Sequence, residues 1–294
     1  MNTTITYPED LPLGTSLPPG DPHGVSVHLP KWADTVGWAS REPRVLDAMK
    51  TGYPRFFIPR VVDQLAMRLI GMVYSEMVKK GSDEKGLLET TKHQLAMLLD
   101  THRHAQMCGQ ALSMWEAANE RPSNIKVHAI TWDGTITKLR DGLFKELAPA
   151  NKIGAEDIFL ISYPTKFGVA AKAFWQHTGF GISSRRATHW LEHAPFLSTS
   201  IISSPPLIPV VTPLDIDRAK AELKARIAAG FCDPSSNLTI SPSDVFLFPT
   251  GMTAITEVAS TIKSFRKTTP STLHRVAVFG FVSLPLHPSP QQTN

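Results

Sequence analysis

Residues 244–255 read DVFLFPTGMTAI, and the order of elements within and after this stretch decides the predicted fold. The run from Asp244 to Thr250 is apolar and rich in aromatic residues, which predicts a buried strand. A Gly-Met pair then opens an amphipathic stretch to Arg266, which predicts a helix. The following HRVAVFGF, which ends at Phe281, predicts a second strand. Strand, tight turn, helix and strand in this order form one βαβ unit.

Upstream of this unit, helical and extended patterns also alternate. Apolar residues at helical spacing predict a helix between Pro59 and Gly81, with the glycine at its C-terminal end. Further helices are predicted over 104–119, after Lys166 and over 215–229, and strands over 125–131 and 157–163. This alternation favours an α/β layer architecture.

Changes in composition divide the chain into five segments. Residues 1–40 lack sustained periodicity and are expected to form an irregular arm. The other predicted segments are an α/β extension over 41–196, a Pro/Ser-rich linker over 197–213, the start of a second α/β domain over 214–281 and a divergent tail over 282–294. The prolines of the tail, VSLPLHPSPQQTN, disfavour a continuation of the βαβ pattern.

The composition is that of a globular protein with no nucleic-acid-binding or membrane-spanning character. Hydrophobic residues are 42% and charged residues 19% of the 294 positions, which supports a sizeable core. The net charge of +4 is too dilute to indicate a nucleic-acid partner. There is no signal or transit pattern and no apolar run near the roughly 20 residues that span a bilayer, so we expect a cytoplasmic protein without a membrane partner. The two cysteines, Cys108 and Cys232, predict neither a disulfide framework nor a metal knuckle.

The turn between the predicted strand and helix has the chemistry of a phosphate site. The first backbone N–H groups of a helix have no intrahelical partner, and aligned peptide dipoles make that end of the helix positive. A phosphate is therefore a natural ligand at Gly251 and Met252, with the hydroxyls of Thr250 and Thr253 beside it. An ordinary strand-to-helix turn capped by threonine explains the same residues equally well.

Four stretches together resemble fungal-type cystathionine γ-synthases, which belong to the Cys/Met-metabolism family of pyridoxal-phosphate enzymes. They are HGVSVHLPKWADTVGW (23–38), TGYPRFFI (51–58), AFWQHTGFGISSRRA (173–187) and DVFLFPTGMTAI (244–255). The last contains the family's Ser/Thr-Gly-Met-x-Ala loop, and the resemblance extends from near Asp10 to Phe281. It implies an incomplete fold-type I, aspartate-aminotransferase-like transferase with three α/β/α layers and an N-terminal α/β extension.

The resemblance also implies a cofactor, an activity and site residues. The cofactor is pyridoxal 5′-phosphate, and the activity is the condensation of an O-acylated homoserine with cysteine to cystathionine, in transsulfuration and methionine biosynthesis. The backbone of Gly251 and Met252 would bind the cofactor phosphate. Residues 182–185 are similar to the family's Tyr-Ser-Arg segment, with Ser183 at the Tyr position, so Arg185 would bind the phosphate of a neighbouring subunit. Alternatively, Arg185 and Arg186 are surface charges.

The second half of the catalytic machinery is not identifiable in this sequence. Pyridoxal chemistry requires a lysine for the Schiff base and an acidic partner for the ring nitrogen, and in the family both lie well downstream of the Gly-Met loop. Lys263 and Lys267 follow the loop but are predicted to face solvent, and VSLPLHPSP follows Phe281 where a ring-stacking tyrosine is expected. We therefore assign no catalytic residue, and expect a truncated chain that is inactive alone and binds the cofactor weakly or not at all.

Two alternatives stay open for the truncated chain. It could be a non-catalytic paralogue that associates with a full-length synthase, as part of a homo- or hetero-oligomer. A reading frame that departs from the family after Phe281, through a retained intron or a frameshift, would also explain the tail.

Two further patterns are predicted to be structural. Lys166 follows a threonine as a Schiff-base lysine often does, but it precedes the phosphate loop, which is the reverse of the family order. His102, His104 and Cys108 suggest a metal site, yet only His104 and Cys108 share a helical face, and no second cluster completes four ligands. We expect a partly buried polar face there and no metal site.

Overall fold

The computed structural model describes residues 11–49, 57–81, 93–115, 125–139, 157–197, 213–232, 235 and 239–266. The chain divides into two compact units, Met1–Thr256 and Glu257–Asn294. In the second unit, the described residues continue the last helix up to Arg266. The interior of the expected linker and the expected tail lie outside the described residues, and the predicted domain boundaries stay predictions.

The described residues form eight helices and six strands. The helices are α1 (Trp32–Ala39), α2 (Pro43–Ala48), α3 (Arg60–Lys79), α4 (His102–Trp115), α5 (Gly168–Thr178), α6 (Ser184–His193), α7 (Pro213–Phe231) and α8 (Gly251–Arg266). The strands are β1 (Ser16–Leu17), β2 (Ser26–Val27), β3 (Gln94–Leu99), β4 (Lys126–Ile130), β5 (Ile136–Leu139) and β6 (Ile158–Pro164). Short 3-10 turns occur at Thr165–Phe167 and Pro242–Asp244.

The main sheet has the strand order β3-β6-β4-β5, and all of its neighbouring strands are antiparallel. β6 is central: Ile161 pairs with Met97 of β3 on one side and with Val127 of β4 on the other. β3 and β4, which α4 connects, run in the same direction but are not neighbours, because β6 lies between them. The unit is therefore a split βαβ arrangement.

One face of this sheet packs against α3 and α6. Buried residues recur along α3 with helical spacing, which is why this segment is a helix with one apolar stripe. They are Val62, Leu65, Ala66, Leu69, Ile70 and Val73. This stripe packs with Leu160 of β6, Ile130 of β4 and Trp190 of α6 in one hydrophobic cluster.

The opposite face packs against α4 and α5. Successive side chains of a strand point to opposite faces, so Phe159, Ile161 and Tyr163 of β6 join this second cluster. Cys108 of α4 and Trp175 of α5 pack against them. Helices thus cover both faces, and the described structure is a mixed α/β fold in three layers.

Most of the predicted elements are present. α3 confirms the helix between Pro59 and Gly81, and the helices predicted after Lys166 and over 215–229 correspond to α5 and α7. The helix predicted over 104–119 begins at His102 and is described as far as Trp115. β4 and β6 confirm the two predicted strands. The arm expected to be irregular contains the β1–β2 hairpin and α1.

The predicted strand at Asp244–Thr250 is wrong. After the 3-10 turn Pro242–Asp244, residues 245–250 form no strand pairing, and the Phe246 side chain is 75% exposed. A strand is stable only when a neighbour pairs with its backbone groups. The neighbour expected from the βαβ pattern, at residues 274–281, lies outside the described residues. The helix of that pattern is present as α8.

Removal of the Leu160 side chain should strongly destabilise the first unit. Leu160 is fully buried in the central strand, so Leu160→Ala should lower the free energy of unfolding by about 2–5 kcal/mol through lost burial and a cavity. Val169 on α5 is 67% exposed, and Val169→Ala should change it by roughly 0.5 kcal/mol or less. Urea denaturation followed by circular dichroism measures both. Equal effects would contradict the assignment of Leu160 to the core.

Candidate functional site

The candidate phosphate turn begins the helix α8. The N–H of Thr253 donates to Oγ1 of Thr250 (3.0 Å), and the N–H of Ala254 donates to the carbonyl of Thr250 (3.1 Å). Thr250 is therefore the N-cap of the helix. Among the described hydrogen bonds, none involves the N–H groups of Gly251 or Met252, which are the first two of the helix. A methyl group built on Gly251 has no described atom within 4 Å, so the described part of the chain leaves space next to the glycine.

The two threonine hydroxyls at this turn are engaged inside the protein. Oγ1 of Thr253 donates to the carbonyl of Gly179 (3.0 Å), Oγ1 of Thr250 lies 3.3 Å from the same oxygen, and the two hydroxyls are 2.9 Å apart. A hydroxyl has a single proton to donate. Both protons are used between these groups, which leaves the backbone N–H groups as the donors of the turn.

Arg185 lies on another element, in the first turn of α6. Its side chain is 68% exposed, and its guanidinium lies 3.8 Å from the carboxylate of Asp21. The neighbouring Arg186 is anchored, because it donates to the carbonyl of Asp157 (2.9 Å). The described contacts do not join Arg185 to the turn at Gly251. The implied role of Arg185, at the phosphate of a neighbouring subunit, stays a prediction.

Ser183, which the sequence resemblance aligns with a tyrosine of the family, is the N-cap of α6. Its hydroxyl accepts a hydrogen bond from the N–H of Arg186 (3.1 Å). The next residue, Ser184, lies 3.1 Å from Nδ1 of His23. The capping bond thus fixes the start of the helix that presents Arg185.

Three of the four stretches that carry the family resemblance contact one another. His23 of the first stretch contacts Ser184 of the third, and Gly179 of the third contacts Thr250 and Thr253 of the fourth. Most of the second stretch lies outside the described residues, although its last residue, Ile58, packs against both core clusters. Sequence reasoning missed Gly179. Its partners lie more than 70 positions away, and no local pattern links them.

The residues of the suspected metal site have other partners. Nδ1 of His104 lies 2.6 Å from the carboxylate of Asp100, and the His104 ring stacks on Phe180 with a centroid distance of 3.6 Å. Cys108 is fully buried, and this burial raises the pKa of its thiol far above the ordinary value. Among the described residues, no group of three or more His, Cys, Asp or Glu side chains could bind a metal ion.

The lysines named in the sequence lie away from the turn or outside the described side chains. Lys166 lies in the 3-10 turn before α5, with its ammonium 5.3 Å from the ring centroid of Phe167. The side chain of Lys263 and the whole of Lys267 are not among the described residues. Within the part of the chain that the structure describes, no helix has both the length and the apolar character needed to cross a bilayer.

A known family model matches part of this chain. Residues 69–183, which include β3, β4, β5 and β6, match the model of the fungal trans-sulfuration enzyme, N-terminal domain. This match and the relatives described next support a fungal cystathionine γ-synthase-like family, and the matched portion is its N-terminal domain. No solved structure matches this chain significantly.

The curated relatives have related but not identical names. The chain is 33% identical to cystathionine gamma-synthase of Neurospora crassa, over 60% of this chain and 25% of that protein. It is 26% identical to the cystathionine gamma-synthase-like enzyme iboG2 of Amanita muscaria, over 95% of this chain and 48% of that protein. It is also 26% identical to alanine racemase ungC of Aspergillus violaceofuscus, over 89% of this chain and 44% of that protein. The chain thus spans less than half the length of these relatives.

The cap at Ser183 can be tested by substitution. Ser183→Ala removes the acceptor of the Arg186 N–H and should lower the free energy of unfolding by about 1 kcal/mol. Ser183→Asp keeps an acceptor at the positive end of the helix and should retain most of that free energy. Urea denaturation compares the two variants with the wild-type chain. An equal loss in both would exclude the capping bond as the cause.

Proposed function

We propose that this chain provides the N-terminal domain and the cofactor-phosphate turn of a pyridoxal-phosphate enzyme of the cystathionine γ-synthase type. In this proposal, residues from 214 onward begin a fold-type I domain, and the reaction joins an O-acylated homoserine to cysteine. The observation that carries the proposal is the start of α8. The N–H groups of Gly251 and Met252 make none of the described hydrogen bonds, and Gly251 is exposed. The first turn of the helix is held in place by the hydrogen bond from Thr253 to the carbonyl of Gly179.

The residues at this turn fit a phosphate group. The N–H groups of Gly251 and Met252 would donate to the phosphate oxygens, and the dipole of the 16-residue helix α8 would favour the negative charge. The hydroxyls of Thr250 and Thr253 have already donated their protons, so these residues support the turn and are not phosphate donors. The absence of a side chain on Gly251 leaves room for the phosphate to approach the backbone.

The chain's own residues provide only part of the chemistry. Bound pyridoxal 5′-phosphate supplies an electron sink that makes bonds at the amino-acid α-carbon easier to break. The turn residues would bind and orient the cofactor through its phosphate. The hydrogen bonds described at the turn involve no lysine or acidic side chain that could act on the imine or the ring nitrogen. We therefore propose that the chain does not catalyse the reaction alone.

Ligand binding by the recombinant full chain tests the proposed site. We expect weak binding of pyridoxal 5′-phosphate, weaker or no binding of pyridoxal, and competition by inorganic phosphate, because the turn recognises the phosphate. Isothermal titration calorimetry measures the two affinities. Equal affinity for the two ligands, or binding of neither, would refute the phosphate turn.

The same preparation tests the absence of catalysis. With added pyridoxal 5′-phosphate, O-acylhomoserine and cysteine, we expect no cystathionine above the enzyme-free rate, and with alanine no racemisation. The alanine assay is included because an alanine racemase is among the relatives. A measurable turnover in either assay would overturn the proposal that further residues are required.

A second proposal concerns association with another chain. Several large apolar side chains on α7 and the segment before α8 are exposed in the described structure, among them Leu214 (76%), Phe231 (66%) and Phe246 (75%). Exposed apolar surface of this kind favours a partner. The partner would be a second copy of this chain or a full-length synthase, and Arg185 would then be available to the partner's phosphate.

Sedimentation velocity tests this association. We expect the chain to form dimers or larger species at micromolar concentration, or to co-sediment with a full-length synthase. A chain that stays monomeric at high concentration and does not bind the synthase would contradict the second proposal, and would leave the phosphate turn unaffected.

A further inference from the structure

The first turn of α8 rests on the end of α5. Gly179 ends α5 with a left-handed backbone (φ +75°), and its N–H donates to the carbonyl of Trp175 (3.2 Å). Its own carbonyl accepts the hydroxyl of Thr253 (3.0 Å) and lies 3.3 Å from that of Thr250. One turn further along α8, the hydroxyl of Thr256 donates to the carbonyl of His177 (3.4 Å). Three threonines at spacing three therefore contact the terminal carbonyls of α5.

This contact is buried, and it includes the helix cap. Thr253 is only 2% exposed, and Oγ1 of Thr250 both caps its N–H and contacts its hydroxyl. The negative end of the α5 dipole thus meets the positive end of the α8 dipole through two hydroxyls. A shift of α8 would break these bonds and leave buried polar groups without partners, which costs more than the bonds contribute.

This contact requires a glycine at position 179. Its positive φ disfavours other residues, and a methyl group on it would lie less than 3.0 Å from Oγ1 of Thr250, the N–H nitrogen of Thr253 and Cβ of Met252. Backbone and cap atoms of α8 cannot yield as the end of a flexible side chain can. Any side chain at position 179 must therefore displace the start of α8.

We propose that Gly179 is a positioning residue for the cofactor phosphate. Its carbonyl binds the hydroxyls of Thr250 and Thr253, and this contact orients the N–H groups of Gly251 and Met252 toward the phosphate. The inference rests on the proposed function of the turn. It assigns the threonines a supporting role and makes the N-terminal domain part of the cofactor site.

The test measures the ratio of the affinities for pyridoxal 5′-phosphate and pyridoxal in the full chain. Gly179→Ala should lower this ratio about tenfold, because the phosphate loses well-aligned charged hydrogen bonds. The matched control is Gly81→Ala: Gly81 also ends a helix with φ +87°, but no described atom lies within 4 Å of an added methyl group. Gly81→Ala imposes the same type of backbone strain and should leave the ratio unchanged.

A second pair of variants separates the hydroxyl from the glycine. Thr253→Val removes the hydroxyl at nearly constant volume and should lower the ratio of the two affinities. Thr253→Ser keeps the hydroxyl and should retain the wild-type ratio. The unfolding midpoint of each variant is measured first. If Gly179→Ala does not fold, the Thr253 pair carries the test.

The outcomes distinguish the positioning role of Gly179 from the proposed phosphate binding on which it rests. A phosphate preference that is lost in Thr253→Val and in a folded Gly179→Ala, and kept in Gly81→Ala and Thr253→Ser, confirms the positioning role. A preference that survives in Thr253→Val overturns that role and leaves the phosphate turn intact. A wild-type chain without any preference overturns both.

Discussion

The pairing of β6 on both of its edges is the constraint on which the described structure depends. Residues Ile158–Pro164 bond to β3 on one side and β4 on the other, and six of the seven residues of β6 are buried. Because both faces of β6 are buried, the strand requires helices on both sides of the sheet. The stripe of α3 and the packing of α4 and α5 satisfy this requirement. A sheet with only one covered face would leave half of these side chains in water.

The candidate site residues follow from how the chain leaves β6. The 3-10 turn at Thr165–Phe167 leads into α5, which ends at Gly179. The chain then returns to the sheet, because the N–H of Ile182 donates to the carbonyl of Leu98 in the edge strand β3 (3.3 Å). This bond covers part of an edge that would otherwise be open. α6 starts immediately after it, so the positions of Gly179 and Arg185 are both set by the path of one connection.

Elements with strong local patterns are predicted correctly from the sequence. Elements whose secondary structure depends on pairing with distant residues are not. α3 has a long apolar stripe, β4 has alternation and β-branching, and β6 is a short apolar run, so these elements are correctly predicted. β3 was not predicted, because QLAMLL is composed of residues that favour helices, and only pairing with β6 makes it a strand. The opposite failure occurs at Asp244–Thr250, where the local pattern favours a strand but the described structure supplies no neighbour.

The same distinction applies within the candidate site. Thr250 and Thr253 were expected to lie beside a phosphate, because hydroxyls at a helix start are typical of such sites. In the structure both hydroxyls donate hydrogen bonds to the carbonyl of Gly179. A hydroxyl has one proton, so neither has a second hydrogen bond to donate to a phosphate. Local chemistry therefore points to the turn as a candidate site, whereas the separate roles of its hydroxyls and its backbone N–H groups depend on tertiary structure. This division has a thermodynamic consequence. Suppose that the turn binds a phosphate more tightly when the contact between α8 and α5 is formed. Phosphate binding must then stabilise this contact by the same free energy as the contact adds to binding. The end of α5 would then contribute to cofactor affinity in its own chain, although no side chain of that helix touches the cofactor.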